Sequence, residues 1–374
     1  MINLTSETRL LNNIRPDILA MSAYHVPDAS GLIKLDAMEN PYVLPDELKA
    51  KLGARLAALA LNRYPVPTYS GLVTALRAYA HIPESSGVML GNGSDELIHL
   101  LSMAVSKAGE RVTVLAPAPS FVMYRASALL NHVDYVEVDL QKRDGVNGVS
   151  FQLDVPAMTA AISTHRPALV YLPYPNNPTG AAFERADMLA VMAAAQAVGA
   201  LVAVDEAYQP FADFTWMSEL ARFEHMLVVR TVSKLGLAGV RLGYMAGGAD
   251  LIAELDKVRP PYNINVLTEA AVSCVLEHVD VLEAQAQQIR ETRAVLVSAL
   301  QSMKGVRPFD TQANFVLVEF ERDANEVFEG LKARGVLVKN MTKAHPMLSH
   351  ALRLTVGSQS ENAQLLDALN DILK

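Results

Sequence analysis

The sequence predicts an α/β protein in two parts, a large domain built on a mostly parallel sheet and a smaller α+β domain after it. Three observations carry that expectation. The chain has 374 residues, more than one hydrophobic core usually organises. Its middle alternates short, continuously apolar runs with helical periodicity, and continuous apolarity marks strands buried on both faces. A long helical pattern then leads into a last segment of short strands and helices.

Taken in order, residues 1–35 read as an N-terminal arm that packs on something else. Over 46–60 and 69–81 apolar residues recur at helical spacing. Gly91-Asn92-Gly93-Ser94-Asp95-Glu96 then opens a helix carrying Leu97, Leu100, Leu101 and Val105, with Ser94 or Asp95 expected as its cap. The strand candidates are Val112–Leu115, Val133–Val138, Leu169–Leu172, Leu201–Val204, Met226–Arg230 and Gly243–Ala246, with a helix at about 184–197 between two of them. The large domain thus spans 36–265, of which 36–65 can also pack on the small domain. One connecting helix is expected over 266–302, from Leu267 to Leu300. The small domain, 303–374, offers Phe315–Phe320, a helix near 324–334, Val336–Val338, Leu352–Val356 and a helix near 361–373.

Composition narrows the function. The formal charge of −8 argues against nonspecific nucleic-acid binding, because no basic face is implied. The single Cys274 excludes an internal disulfide framework and fits a reducing cytoplasm; its apolar helical surroundings suggest a buried thiol. Met1-Ile2-Asn3-Leu4-Thr5 has neither the basic nor the apolar region of a signal peptide, so none is expected. No window holds about 18 uninterrupted apolar residues, the span of a membrane helix. The nine histidines show no HxH or HExxH spacing, so no metal site is expected.

The chemistry concentrates around Lys234. It follows an apolar run in Thr231-Val232-Ser233-Lys234 and precedes Leu237-Ala238-Gly239-Val240-Arg241-Leu242-Gly243. A lysine there can condense with an aldehyde while Ser233, Thr231 and Arg241 hold a phosphate, the anchoring that pyridoxal 5′-phosphate (PLP) requires. Asp205 ends an apolar run in Asp205-Glu206-Ala207-Tyr208, where a buried carboxylate needs a cation. A protonated pyridine nitrogen would supply it. Asn177, in Pro175-Asn176-Asn177-Pro178-Thr179-Gly180, and Tyr208 can hydrogen-bond the ring 3′-oxygen; a plain turn is the alternative for that segment. The N–H groups of Gly93, Ser94 and Asp95 at a helix N-terminus can add to the phosphate cup, with simple capping as the alternative. Phe121 can lie against the ring or simply pack in the core. Arg353, inside the apolar Leu352-Arg353-Leu354-Thr355-Val356-Gly357, wants an anion: a substrate carboxylate or a structural ion-pair partner.

These residues resemble the histidinol-phosphate aminotransferases, a family of fold-type I PLP transferases, over nearly the whole chain. Further matching segments are Lys34 to Tyr42, Leu61-Asn62-Arg63-Tyr64-Pro65, Val258-Arg259-Pro260-Pro261-Tyr262-Asn263 and Gln312-Ala313-Asn314-Phe315. The resemblance implies a seven-stranded, mostly parallel sheet in the large domain. It also implies a cytoplasmic homodimer that transaminates histidinol phosphate with 2-oxoglutarate in histidine biosynthesis. By the same resemblance Lys234 carries the cofactor, Asp205 pairs with its ring nitrogen, and Tyr64 reaches the phosphate of the other subunit. Tyr24, Asn263 and Lys339 would line the pocket for the substrate's imidazole and phosphate, beside Asn177 and Arg353.

Three departures from the family pattern stand out. One residue fewer separates Lys234 from Arg241, so a tighter turn is expected over Leu235-Gly236-Leu237. Lys339 stands where an arginine is common, and Phe121 where a tyrosine is more frequent. An aromatic amino-acid aminotransferase and a lyase like threonine-phosphate decarboxylase are the rival activities, sharing every cofactor residue. A binding domain without turnover would need a DNA-binding segment ahead of this fold, and the acidic arm is too short for one.

Overall fold

The computed structural model describes residues 11–23, 27–145 and 148–374. Met1–Gly31 and Leu32–Lys374 are separate compact units. In the first, Pro16–Leu19 forms one helical turn with a proline at its start and an Arg15–Asp17 ion pair of 2.6 Å.

The second unit carries two main sheets. In chain order its strands are β1 (Ile33–Leu35), β2 (Ser86–Gly91), β3 (Thr113–Ala118), β4 (Asp134–Asp139), β5 (Gln141–Gly145), β6 (Gly148–Gln152) and β7 (Leu169–Pro173). Then come β8 (Leu201–Asp205), β9 (Met226–Thr231), β10 (Gly243–Gly248), β11 (Val306–Pro308), β12 (Phe315–Phe320), β13 (Val336–Asn340) and β14 (Ala351–Thr355). Seven of them form a sheet in the order β2-β10-β9-β8-β7-β3-β4, in which only β10 runs antiparallel to its neighbours. Every expected strand of the middle region is present in it.

Helices cover both faces of this sheet. In chain order the helices of this region are α1 (Asp46–Ala57), α2 (Ser70–Ala80), α3 (Ser94–Val105), α4 (Val122–Leu130), α5 (Val155–His165), α6 (Arg185–Val198) and α7 (Ala249–Leu255). Alternation along each strand feeds two cores. Val170, Leu172, Val202, Val204 and Val228 pack with α2, α5 and α6, while Leu169, Tyr171, Ala203, Leu227 and Val229 pack with α3, α4 and α7. Burial on both faces is the reason these strands read as unbroken apolar runs.

β2 is not among the strand candidates, and its sequence Ser86-Gly87-Val88-Met89-Leu90-Gly91 carries two glycines. A Cβ on Gly87 or Gly91 would lie 2.6 Å from Ile252 or Leu97, so both glycines admit helices packed tightly on the sheet. The connector over 266–302, expected as one helix, is two, α8 (Val266–Leu276) and α9 (Val279–Gln301), broken at Glu277 and His278. Val272 and Val275 of α8 and Leu282 at the start of α9 belong with the large sheet, while Ile289, Leu296 and Leu300 further along α9 join the small one. Ion pairing of Arg55 on α1 with Glu277, at 2.8 Å, pins the break.

The small sheet runs β1-β13-β14-β12-β11 and packs on α9, α10 (Ala324–Ala333) and α11 (Gln359–Leu373). β1, whose residues were expected in the arm, pairs parallel with β13. Cys274 is buried, as its surroundings suggested. Among the described residues no helix is long and apolar enough to cross a membrane, and no cluster of His, Cys, Asp or Glu could hold a metal.

Candidate active site

The carboxyl ends of β7, β8 and β9 open on one cavity, where parallel α/β sheets generally place their ligands. β8 delivers Asp205, and Tyr208 follows three residues later. β9 delivers Thr231, then Ser233 and Lys234, and the amino end of α3 adds Ser94 and Asp95. Phe121, Asn177 and Arg241 also line it, and Met38 and Tyr124, which the sequence does not single out, line it too.

Lys234 lies in a π-type turn, Ser233–Leu237, closed by the Leu237 N–H donating to the Val232 carbonyl at 3.1 Å. Gly236 makes the turn feasible at φ 142°, and a single 3₁₀ turn at Ala238–Val240 then brings Arg241 round. Asn40 Nδ2 braces the turn through the Leu235 carbonyl at 3.0 Å. The Lys234 Nζ donates to the Ala37 carbonyl at 3.0 Å. Burial, reinforced by the positive charge of Arg353, lowers the Lys234 ammonium to about 8. A useful fraction of neutral amine is thus present near neutral pH.

The phosphate cup is built from short contacts. Ser233 Oγ receives a hydrogen bond from Thr231 at 2.9 Å and one from Arg241 at 3.4 Å. Arg241 also pairs with Asp95 at 3.2 Å, which fixes its guanidinium beside the start of α3. Gly93, not Ser94 or Asp95, is the cap of α3, at φ 80°. That φ favours glycine, and a Cβ there would also crowd Arg241 Nη2 at 2.5 Å. Gly243 is constrained likewise, its Cβ position lying 2.5 Å from the Ser94 nitrogen.

Asp205 is 5% exposed and accepts from two neutral donors: Tyr124 OH to Oδ2 at 2.7 Å and the Ala207 N–H to Oδ1 at 3.0 Å. Burial pushes its carboxyl up to about 6, against the pull of those two donors. Sequence reasoning missed Tyr124, three residues after Phe121 on α4, because a tyrosine in an apolar helix reads as core. Phe121 stands edge-on to it at 5.8 Å.

On the substrate side, Arg353 of β14 reaches Asn177 Oδ1 at 2.6 Å and the Asp36 carbonyl at 2.8 Å. Lys339 of β13 is its direct cross-strand neighbour, so both cations share one face of the small sheet. Tyr208 is buried, and its hydroxyl donates to Met38 Sδ at 3.2 Å. Asn263 is placed apart from the cavity lining: its Nδ2 donates to the Leu90 carbonyl and Glu96, and its Oδ1 accepts from Arg259. Tyr64 is 79% exposed and stacks on Tyr262 at 4.6 Å. Tyr24 lies outside the described residues.

These groups fit PLP. A buried carboxylate facing a cavity calls for a cation, which a protonated pyridine nitrogen brings. An amine near its titration point stands ready for an aldehyde, and a hydroxyl, a guanidinium and a helix N-terminus converge for a phosphate.

Comparison with known proteins agrees. Residues 30–369 match the family model described as aminotransferase class I and II. A histidinol-phosphate aminotransferase of Ralstonia nicotianae is 55% identical over 357 residues, covering 95% of this chain and 93% of that protein. Another, of Paracidovorax citrulli, is 52% identical over 366 residues, covering 96% and 97%. The structure of histidinol-phosphate aminotransferase from Sinorhizobium meliloti in complex with pyridoxal-5′-phosphate superposes with a TM-score of 0.82 at 21% identity, covering 96% of this chain and 97% of that one.

Proposed function

The chain belongs to the class I and II aminotransferases, and from that premise we infer that it transfers the amino group of histidinol phosphate to 2-oxoglutarate. The products are imidazole-acetol phosphate and glutamate, a step of histidine biosynthesis. The observation that carries this reading is identity above half, over nearly the whole chain, to proteins of that activity.

Bound PLP supplies an electron sink for the pair left at the substrate α-carbon. The residues of this chain do the rest. Lys234 holds the cofactor and, once displaced by the incoming amine, carries the α-proton on its Nζ. Asp205 holds the pyridine nitrogen protonated. Arg353 occupies Asn177 Oδ1, which leaves Nδ2 as the amide's donor for the ring 3′-oxygen, with Tyr208 beside it. Arg353 receives the anionic end of either substrate, a phosphate in one half-reaction and a carboxylate in the other. Lys339 adds charge one strand away.

The protein works as a cytoplasmic homodimer. The exposed Tyr64–Tyr262 stack, with Leu61 and Val66 exposed nearby in sequence, supports a second copy covering that surface. Tyr64 then serves the partner's cofactor phosphate.

Single-turnover bleaching of the PLP form tests the reading, with histidinol phosphate set against phenylalanine, tyrosine and threonine phosphate. Conversion by histidinol phosphate alone, reversed by 2-oxoglutarate, is expected. Equal conversion by an aromatic amino acid would make it a broad aromatic aminotransferase. Arg353→Ala is expected to lower kcat/KM for both substrates by roughly 10²-fold, as loss of one member of a buried charge pair does. A loss confined to one substrate contradicts the dual role.

A further inference from the structure

We propose that Tyr124 is a positioning residue that holds Asp205 in place, and ionised, for the pyridine nitrogen. The inference rests on the PLP reading of this site. Its basis is a hydrogen bond between fully buried groups: the Tyr124 hydroxyl donates to Asp205 Oδ2 at 2.7 Å. Tyr124 itself is 0% exposed. Its ring stacks on Tyr171 of β7 at 4.2 Å, 8° from parallel, and the Tyr171 hydroxyl is tied to the Ile98 carbonyl of α3 at 3.2 Å. That stack leaves Tyr124 no room to swing away.

The arrangement divides the labour on the carboxylate. The Ala207 N–H engages Oδ1 and Tyr124 engages Oδ2. Each oxygen keeps a lone pair, so a third donor from the cavity can still be accepted. Burial raises the Tyr124 phenol well above its usual range, with the Asp205 charge adding to the effect, so it stays protonated and able to donate. A donor locked in that role favours the carboxylate over the carboxylic acid. One turn of α4 therefore serves the cofactor twice: Phe121 lines the cavity, and Tyr124, three residues on, holds its ring partner.

The test is PLP affinity as a function of pH, measured by titrating cofactor-free protein. Tyr124→Phe keeps the ring and removes only the hydroxyl. Its PLP affinity is expected to fall about tenfold or more near neutral pH. Asp205 would ionise at higher pH without the donor, so the affinity profile should move about one unit to the alkaline side. Asp95 on α3 and the adjoining Glu206 also act on Asp205, and Lys234 and Arg241 share its cavity, but all are unchanged in the variant. The difference between the two profiles therefore reports on the missing hydroxyl.

If Tyr124→Phe does not fold, 3-fluorotyrosine at position 124 carries the test. It strengthens the donor, and the profile should shift the opposite way. Wild-type affinity across the pH range in either folded variant overturns the proposal. Failure of the wild-type protein to bind PLP overturns the cofactor reading, and this with it.

Discussion

Replacing Lys234 with alanine is expected to abolish transamination, lowering turnover by about 10⁴-fold or more, because one side chain holds the cofactor and moves the proton. The structure explains why it can do both. Burial and the nearby Arg353 charge bring its ammonium to about 8, so holding and releasing a proton cost little near neutrality. The rate at which cofactor-free wild-type protein combines with PLP should accordingly rise as pH passes through that value, where the amine becomes neutral. Borohydride treatment of the loaded protein should fix the cofactor to Lys234 in the wild type and to no residue of the variant. Mass spectrometry reads the modified site. Full turnover in the alanine variant, or labelling at another lysine, would remove Lys234 from its assigned role.

Lys234, Asp205 and Arg353 were legible in the sequence for a common reason: each is a charge at the edge or middle of an apolar run, where burial demands a partner. The strands were legible because β7, β8 and β9 are covered on both faces, which leaves no polar alternation to confuse them. What escaped depends on pairing across the fold. Gly87 and Gly91 look like breakers until Ile252 and Leu97 are seen packed where their side chains would be. No glycine or proline at Glu277 or His278 marks the end of a helix, and the change from one core to the other comes later, after Leu282 of α9. Tyr124 looks like any aromatic of an amphipathic helix, and its value lies in a carboxylate 81 residues away. Nor can sequence foresee that backbone carbonyls of Asp36 and Ala37 meet Arg353 and Lys234. For Asn263, the family resemblance implied a pocket role, whereas its Nδ2 ties the segment to Leu90 of β2 and Glu96 of α3 while its Oδ1 accepts from Arg259.

Asp205→Asn should separate stability from function, with opposite signs. In the cofactor-free protein the carboxyl titrates at about 6, above its value in an unfolded chain. The folded state then binds the proton more readily, so stability falls as pH rises through the window from about 4 to about 6. Above that window the buried charge costs on the order of 3 kcal/mol. Asparagine removes the charge and can keep both neighbours, accepting from the Ala207 N–H and donating to the Tyr124 oxygen. The cofactor-free variant should therefore be more stable than wild type at pH 8, by roughly 1–3 kcal/mol, and indistinguishable from it near pH 4. Urea unfolding at the two pH values measures this. With PLP the order reverses, since the neutral amide leaves the pyridine nitrogen without its counter-charge. Losing one member of such a buried pair is worth roughly 2–5 kcal/mol, or about 30-fold to several thousand-fold in affinity. A variant that binds PLP as wild type does would show that Asp205 is not the ring partner. Equal stability of the two cofactor-free proteins at pH 8 would show that the carboxylate has found its cation inside the chain.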